Sequence, residues 1–541
     1  MHIVVADDLA PGALDLLRSV RGWTVDARPG RSRADLAAAL AEADALIVRS
    51  ATRVDADLIA AAPRLRVIAR AGTGVDNVDV EAASARGILV LNAPGANSVS
   101  VAEHAFALML ACARHLARAD ALLKAGRWDK RSLVGIELRG KTLGIIGLGR
   151  VGQEVASRAT AFGMRVVAHD PFISEQVAGA LGVELADLDE VCGRADFLTL
   201  HLPATPATRR LLDAARLARC KPGVIIINTA RGELVDETAL RAAIESGRVA
   251  AAGLDVFDPE PPADTRLVGL AQVVATPHIA ASTREAQELV GLETASSVIE
   301  FLRDGLVRNA VNFPSLSAED FRRLRPFIRL AERLGALVGQ LAEGRRQAVG
   351  VRYYGALTGG PTDVLASAVL AGLLRPILSE PVTLVNARSV AAARGLELVE
   401  SRSSRPRDFT SLISVKLHTT SGEQWVEGTV FEPDRPRLVS LDGVPIEAPL
   451  EGTAIVIRNE DQPGVIGEVG MTLARHGVNI ATFALGRGPD GAIGVVNIDE
   501  RADGAPVTEQ ALEQIRRIPA VRRAHVVRFW DATPVRAAAS G

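Results

Sequence analysis

Short apolar runs alternate with stretches whose apolar residues recur every three or four positions through the first half of the chain. The runs at 2–6, 45–49, 67–70 and 89–92 read as buried strands, and the Ala/Leu-rich segments between them as amphipathic helices. That alternation predicts a parallel sheet covered by helices. A long helix is expected from 99 to about 124, then a second strand–helix unit from 142 to about 276. A further amphipathic helix, 282 to about 301, is placed to cross back to the first unit. The pattern breaks at Asn312-Phe313-Pro314-Ser315. Residues 316–450 mix helices with strands such as 412–417 and 424–431, ending near Asp442-Gly443. The last unit, 453 to about 529, has strands at 453–457, 480–484, 493–498 and 521–527 with two helices between them. That order is the split βαβ, ferredoxin-like plan. The Ala-rich tail, 532–541, is expected to be disordered. The fold class is α/β: two Rossmann-like lobes, an α+β unit and a βαββαβ unit.

Composition narrows the function. A chain of 541 residues holds three or four domains at ~150 residues each. The net charge of −2 gives no overall field favouring nucleic acid or an anionic membrane. Cys112, Cys192 and Cys220 are too few and too scattered for a disulfide framework or a zinc site, which fits a reducing compartment. The first residues lack the basic-then-apolar pattern of a signal peptide. The longest apolar stretch, 101–123, is broken by Glu103, Arg114, Arg118 and Asp120, so it does not read as a membrane span. A soluble cytoplasmic protein without a metal is the expectation.

Gly147-Leu148-Gly149-Arg150-Val151-Gly152 follows a strand at 142–146 and opens a helix. Gly147 allows the tight turn, Gly149 lets backbone approach a pyrophosphate, and Gly152 lets the helix pack on the sheet with its N-terminus towards the phosphates. A second strand, 165–168, leads to Asp170, 18 residues after Gly152. A carboxylate there accepts hydrogen bonds from the adenosine ribose and repels a 2′-phosphate. Pro171 follows it rather than an arginine, so NAD is expected over NADP.

Three further strands each deliver one functional side chain just past their ends. Residues 224–227 lead to Asn228-Thr229-Ala230-Arg231-Gly232, residues 251–254 to Asp255 and Glu260, and residues 273–275 to Thr276-Pro277-His278. Ligands of open α/β sheets bind beyond the carboxyl ends of strands, so these residues can meet at one edge. Arg231 can grip a carboxylate with two parallel hydrogen bonds. His278 can take a hydroxyl proton as hydride leaves the same carbon. Glu260 can accept the other imidazole N–H and orient the ring.

With these motifs, residues 1 to about 312 closely resemble the D-isomer-specific 2-hydroxyacid dehydrogenases. The resemblance implies a substrate lobe (1–98 plus 282–312) with an NAD lobe (99–281) inserted into it. It implies Arg231, Glu260 and His278 as the catalytic set, and cofactor contacts at Arg150, Val151, Asp170, Leu202, Thr229 and Asp255 besides the three glycines. Arg49-Ser50-Ala51-Thr52 and Arg70-Ala71-Gly72-Thr73-Gly74-Val75-Asp76-Asn77 look like the substrate loops of the D-3-phosphoglycerate dehydrogenase branch. Two arginines at neighbouring strand ends suit a doubly charged phosphate, and the glycines let backbone N–H groups approach it. Substrate contacts are thus expected at Arg49, Ser50, Arg70, Gly72 and Thr73. Trp128-Asp129-Lys130-Arg131 resembles the segment that reaches a neighbouring subunit's site, which would add Lys130 and Arg131.

The C-terminal half carries the resemblance further. Residues 316–450 resemble the intervening domain of the long form of that branch. Residues 453–529 resemble an ACT domain, through Asn459-Glu460-Asp461-Gln462-Pro463-Gly464 and Gly477-Val478-Asn479. The implied effector is L-serine, held by Asn459, Asp461 and Asn479 between paired domains of a homo-oligomer, a dimer or tetramer. Glu233 and Ala280-Ala281 depart from glycines common in the family. The implied activity is NAD-dependent oxidation of D-3-phosphoglycerate, the entry to serine synthesis. The alternatives are a dehydrogenase of glycerate, glyoxylate or lactate, and an NAD-sensing corepressor-like binding protein.

Overall fold

The computed structural model describes residues 1–529 apart from 315, 379–380, 406, 433 and 500–505, so the expectation for the 532–541 tail lies outside the described residues. The described residues form four sheets. The first comprises β1 (His2–Val5), β2 (Thr24–Ala27), β3 (Ala45–Val48), β4 (Val67–Arg70) and β5 (Leu89–Leu91), in the order β2-β1-β3-β4-β5 with every pair parallel. All four residues of β3 are buried, as a parallel strand covered on both faces requires. The second sheet comprises β6 (Thr142–Ile146), β7 (Arg165–His169), β8 (Glu184–Leu185), β9 (Phe197–Leu200), β10 (Val224–Asn228), β11 (Val249–Leu254) and β12 (Val273–Ala275). Its order, β12-β11-β10-β9-β6-β7-β8, reverses direction between β6 and β9. Such a reversal opens a crevice beyond the strand ends. The edge strands β2 and β8 lack the apolar run of their neighbours and escaped the sequence pattern.

Two crossings join these lobes. The single helix expected from 99 to about 124 is two helices, Ser98–Arg114 and Leu116–Lys124. His115 breaks them in the left-handed conformation (φ 54°), with its N–H closing the first helix on Ala111 and Cys112 carbonyls. The second segment buries no residue, so no packing surface holds it on the line of the first. The return crossing is Arg284–Asp304, capped by the Thr283 hydroxyl and ended by Gly305 at φ 74°. It packs on the helix Pro11–Arg18, where Gly291 allows the approach: a Cβ there would lie 3.1 Å from that of Ala13.

The third unit sets helices Ala318–Leu341 and Asp363–Leu374 against a six-stranded sheet. The helices touch through backbone, since a Cβ on Gly335 or Gly372 would run into the Val369 or Glu332 carbonyl. The sheet comprises β13 (Arg346–Gly355), β14 (Glu397–Ser403), β15 (Ser411–Thr419), β16 (Gly422–Phe431), β17 (Arg435–Leu441) and β18 (Val444–Pro449), in the order β14-β13-β15-β16-β17-β18. One hydrophobic core runs from Ile3, Ile47 and Leu89 through Leu302 and Leu330 to Val351 and Leu417, so the first lobe and the third unit share an interior. The fourth unit has β19 (Thr453–Asn459), β20 (Ile480–Gly488), β21 (Gly491–Ile498) and β22 (Val521–Arg528), all antiparallel in the order β20-β21-β19-β22. Ile455, Ile457, Val469, Leu473 and Ile515 bury its sheet under helices Val465–Arg475 and Glu509–Arg516, the expected βαββαβ plan.

Candidate active site

The loop after β12 carries His278 in the left-handed region, at φ 53°. A non-glycine residue there costs of order 1–3 kcal/mol and needs surrounding contacts to hold it. Asp255, at the end of β11 and fully buried, supplies them. Its carboxylate accepts from Thr276 Oγ1 (2.6 Å), Ile279 N (2.9 Å) and Ala280 N (2.8 Å), which lie on both sides of His278. Its carbonyl accepts from His278 N at 2.8 Å. His104 completes the cluster, with Nε2 3.0 Å from Thr276 Oγ1 and 3.4 Å from Asp255 Oδ1. Burial alone would raise the Asp255 pKa, but the hydrogen bonds from His104, Thr276, Ile279 and Ala280 outweigh it and hold the carboxyl below its usual range. His104 was missed by sequence reasoning, because nothing in a helix interior marks one polar residue as the partner of a distant strand end.

With the loop fixed, His278 Nδ1 lies 2.7 Å from Glu260 Oε2, and both side chains remain partly open to solvent. Glu260 is itself steadied by Phe257 N donating to Oε1 at 3.1 Å. The pair therefore has the geometry of an oriented general base whose Nε2 is left for a substrate.

The arginines converge on the same edge. Asn228 shapes the turn after β10, its amide donating to the Arg231 carbonyl (2.8 Å) and its Oδ1 accepting from Ala230 N (3.0 Å). Gly232 is required there, because a Cβ would strike the Phe257 backbone. The Arg231 guanidinium reaches Asp76 of the other lobe at 3.1 Å. Gly72 and Gly74 leave the space that the Arg70 and Arg231 guanidiniums occupy. Arg70 is largely buried, and its Nε has no hydrogen-bond partner among the described residues. Burial first, and then the charges of Arg231 and Arg49, lower its pKa. Arg49 is set by Asp7, whose carboxylate accepts from Arg49 N (2.6 Å), Thr52 N (3.2 Å) and Thr52 Oγ1 (2.6 Å). Asn77 closes the same loop, donating to the Arg49 and Thr52 carbonyls at 2.6 Å each. Asp7 had no sequence signal of its own, since it works through its neighbours; Asp76 stands within the loop that carries the resemblance but had no role of its own there. Thr73 donates to Asn97 Oδ1 (3.0 Å), and Ser50 is exposed beside β3. Lys130 and Arg131 lie on an exposed turn, Lys130 over the Trp128 ring at 5.7 Å; among the described residues neither contacts the cluster.

The glycine loop is built as a cradle. Gly147 (φ 94°) lies against the His201 carbonyl and Gly152 against that of Gly147, both too close for a side chain, while Gly149 faces open space. The helix Arg150–Ala161 starts at Gly149. Asp170 accepts from Leu148 N (2.8 Å) and Phe172 N (2.9 Å), so its carboxylate sits beside the loop. Arg150 reaches the Pro94 carbonyl across the lobes. Val151 and Leu202 line the loop half-buried, and Thr229 Oγ1 is buried without a partner among the described residues. An orphaned hydroxyl, an open glycine and a helix N-terminus at the sheet reversal fit a dinucleotide. The departures from glycine are tolerated, since neither Glu233 nor Ala280 takes a positive φ. Among the described residues no group of His, Cys, Asp or Glu could hold a metal ion, and no helix is long and apolar enough to cross a membrane.

In the fourth unit Asn459 is buried at the end of β19, while Asp461 is exposed just past β19 and Asn479 is exposed just before β20. Asp461 pairs with Arg487 at 3.0 Å, and Asn479 donates to Asp499 at 3.4 Å. The carboxylate assigned to an ammonium group thus has a cationic partner already within the chain.

Family comparisons agree with this architecture. The NAD-binding domain of D-isomer-specific 2-hydroxyacid dehydrogenases matches residues 106–280, the D-3-phosphoglycerate dehydrogenase intervening domain 323–442, and the ACT domain 453–520. The chain is 42% identical over 530 residues to D-3-phosphoglycerate dehydrogenase of Methanocaldococcus jannaschii, covering 97% of this chain and 99% of that one. It is 44% identical over 493 residues to the enzyme of that name from Mycobacterium tuberculosis, covering 90% and 92%. Among solved structures, the TT0316 protein from Thermus thermophilus superposes with a TM-score of 0.53 at 40% identity, covering 57% of this chain and all of that one.

Proposed function

This chain belongs to the D-3-phosphoglycerate dehydrogenase family, and on that premise we propose that it oxidises D-3-phosphoglycerate to 3-phosphohydroxypyruvate with NAD. The observation that carries the substrate assignment is the arginine cluster: Arg70, with a buried Nε lacking a partner among the described residues, feels the charges of both Arg231 and Arg49. Three guanidiniums at one edge exceed what a single carboxylate needs, and the surplus suits a phosphate.

The roles follow from position. Gly147, Gly149, Gly152, Arg150, Val151, Leu202 and Thr229 hold the dinucleotide, with Asp170 on the adenosine ribose. NAD, when bound, supplies the hydride acceptor. Arg231 holds the substrate carboxylate, and Arg49 and Arg70 hold the phosphate, with backbone and side-chain help from Ser50, Gly72 and Thr73. His278 takes the hydroxyl proton at Nε2, and Glu260 keeps the ring in the tautomer and orientation for that transfer. Asp255 acts through the loop that presents His278. The likeness of 453–520 to the ACT domain supports L-serine as effector at Asn459, Asp461 and Asn479. The oligomer is supported by exposed apolar side chains on one segment, Leu116, Leu123, Trp128 and Val134, which ask for a partner surface. Lys130 and Arg131 lie within that segment and enter a site of the partner subunit.

The test is a steady-state assay with NAD and phosphoglycerate, with and without serine, beside D-glycerate. Turnover of glycerate equal to that of phosphoglycerate would refute the substrate assignment. A protein without dehydrogenase activity that binds peptides in an NAD-dependent way would refute the enzyme reading.

A further inference from the structure

A cavity of about 990 Å³ lies between the first lobe and the third unit, at the amino end of β4, the strand whose carboxyl end carries Arg70 of the catalytic edge. Its walls are the turns before β4 and β5, the end of the helix Arg284–Asp304, the helix Ala318–Leu341, and strands β17 and β18. Ten arginines line it against four carboxylates, a formal excess of six positive charges. Some are neutralised in place: Arg329 pairs with Asp434 at 3.2 Å, and Arg375 with Glu332. Arg66, Arg325 and Arg437 have no ion pair among the described residues. The Arg437 Nε is buried with no hydrogen-bond partner among those residues. Arg66 sits over the Phe301 ring at 5.6 Å, and burial lowers its pKa. Phe313, Phe321 and Ile328 add an apolar wall beside this charge.

Such an arrangement is costly without a ligand. Guanidiniums that share a partly dry space repel one another, and a buried donor without a partner forfeits its hydration. Anions restore both. The volume is at the upper end of small-molecule sites, so one inorganic phosphate would leave most of it unfilled. Several unmatched guanidiniums on different walls call for two or more anionic groups, and planar forks favour phosphate or carboxylate oxygens. The aromatic wall calls for an apolar or aromatic body attached to them.

We propose that this cavity binds a phosphorylated, nucleotide-class polyanion, its phosphates on Arg66, Arg325 and Arg437 and its ring system against Phe301 and Phe321. The ligand bridges the first lobe, through Arg66, to the third unit, through Arg437, and so fastens the two bodies together.

Calorimetry on the full chain with saturating NAD, which fills the glycine-loop site, tests this with ATP and with tripolyphosphate as probes. Both are expected to bind, ATP more tightly because it also uses the aromatic wall. Arg66→Gln and Arg437→Gln should each weaken ATP by about 10–100-fold, the scale of one lost charge-assisted hydrogen bond. Phosphoglycerate turnover without ATP should stay within about two-fold in both. If either variant fails to fold, Arg325→Gln, at an exposed helix position, carries the test with the same expected direction. Unchanged ATP affinity in the folded variants, or no binding of either probe, would overturn the site. Tripolyphosphate binding as tightly as ATP would overturn the nucleotide assignment.

Discussion

Strand β4 carries an arginine at each end, and the two meet opposite fates. Arg70, at its carboxyl end, joins Arg49 and Arg231 at the catalytic edge; Arg66, one residue before its start, faces the interdomain cavity. Burial lowers the pKa of both. The neighbours differ in origin. Those of Arg70 come from the carboxyl ends of parallel strands, where a sheet's topology gathers them whatever the loops between contain. Arg66 stacks on Phe301 of the helix Arg284–Asp304 and shares its cavity with residues of the helix Ala318–Leu341 and of β17, which are there only because a shared core docks the third unit on the first lobe. Binding chemistry can thus be written into local strand ends or arise from docking, and only the first leaves a motif.

The largest effects are expected at the catalytic edge. His278→Ala should lower kcat with phosphoglycerate and NAD by ~100-fold or more, the scale of general acid–base catalysis. Normal turnover would remove the residue from the chemistry. Next, Arg70→Gln should raise KM for phosphoglycerate by about 10–100-fold while leaving D-glycerate nearly unaffected, since one charge-assisted contact is lost. Arg66→Gln, at the strand's other end, should leave that KM alone, and equal effects would erase the distinction drawn between the two ends.

A smaller effect separates regulation from catalysis. Asp461→Ala should weaken serine binding about ten-fold by calorimetry and leave phosphoglycerate turnover intact, the expected loss of one charged partner. No serine binding to the wild-type chain would remove the effector role.

The subtlest test concerns His201, behind the glycine loop. Burial pushes its pKa from 6.5 down to about 3, while Thr199 Oγ1 lies 2.9 Å from Nε2. The unfolded chain takes up this proton below about 6.5 and the folded chain refuses it until about 3. Stability therefore falls as pH drops through that window, by at most about 1.4 kcal/mol per pH unit. His201→Asn should flatten the dependence of unfolding free energy between neutral and mildly acid pH, and an unaltered slope would place the effect elsewhere.

Much of this was legible in the residues. The apolar runs that lead to Arg231 and Glu260 are continuous because β10 and β11 are parallel strands buried in the sheet, so their ends could be read; β12, which leads to His278, is a short apolar run at the sheet edge. β17 and β18 could not be read: polar and apolar residues mix in them, and Pro436, Pro445 and Pro449 interrupt the pattern of strands that pair with β16 and with each other. His104 and Asp7 act through backbone and neighbouring side chains, and a single polar residue on a helix or at a strand end has no spacing to betray it. The break at His115 was hidden because Leu116–Lys124 keeps a helical pattern while losing the surface it would pack on.

Three arginines at one edge select a phosphorylated acid. The most direct measurement is kcat/KM of the wild-type enzyme for D-3-phosphoglycerate and for D-glycerate under NAD saturation. A preference of ~100-fold or more for phosphoglycerate is predicted from two charge-assisted phosphate contacts. Equal values for the two substrates would contradict it.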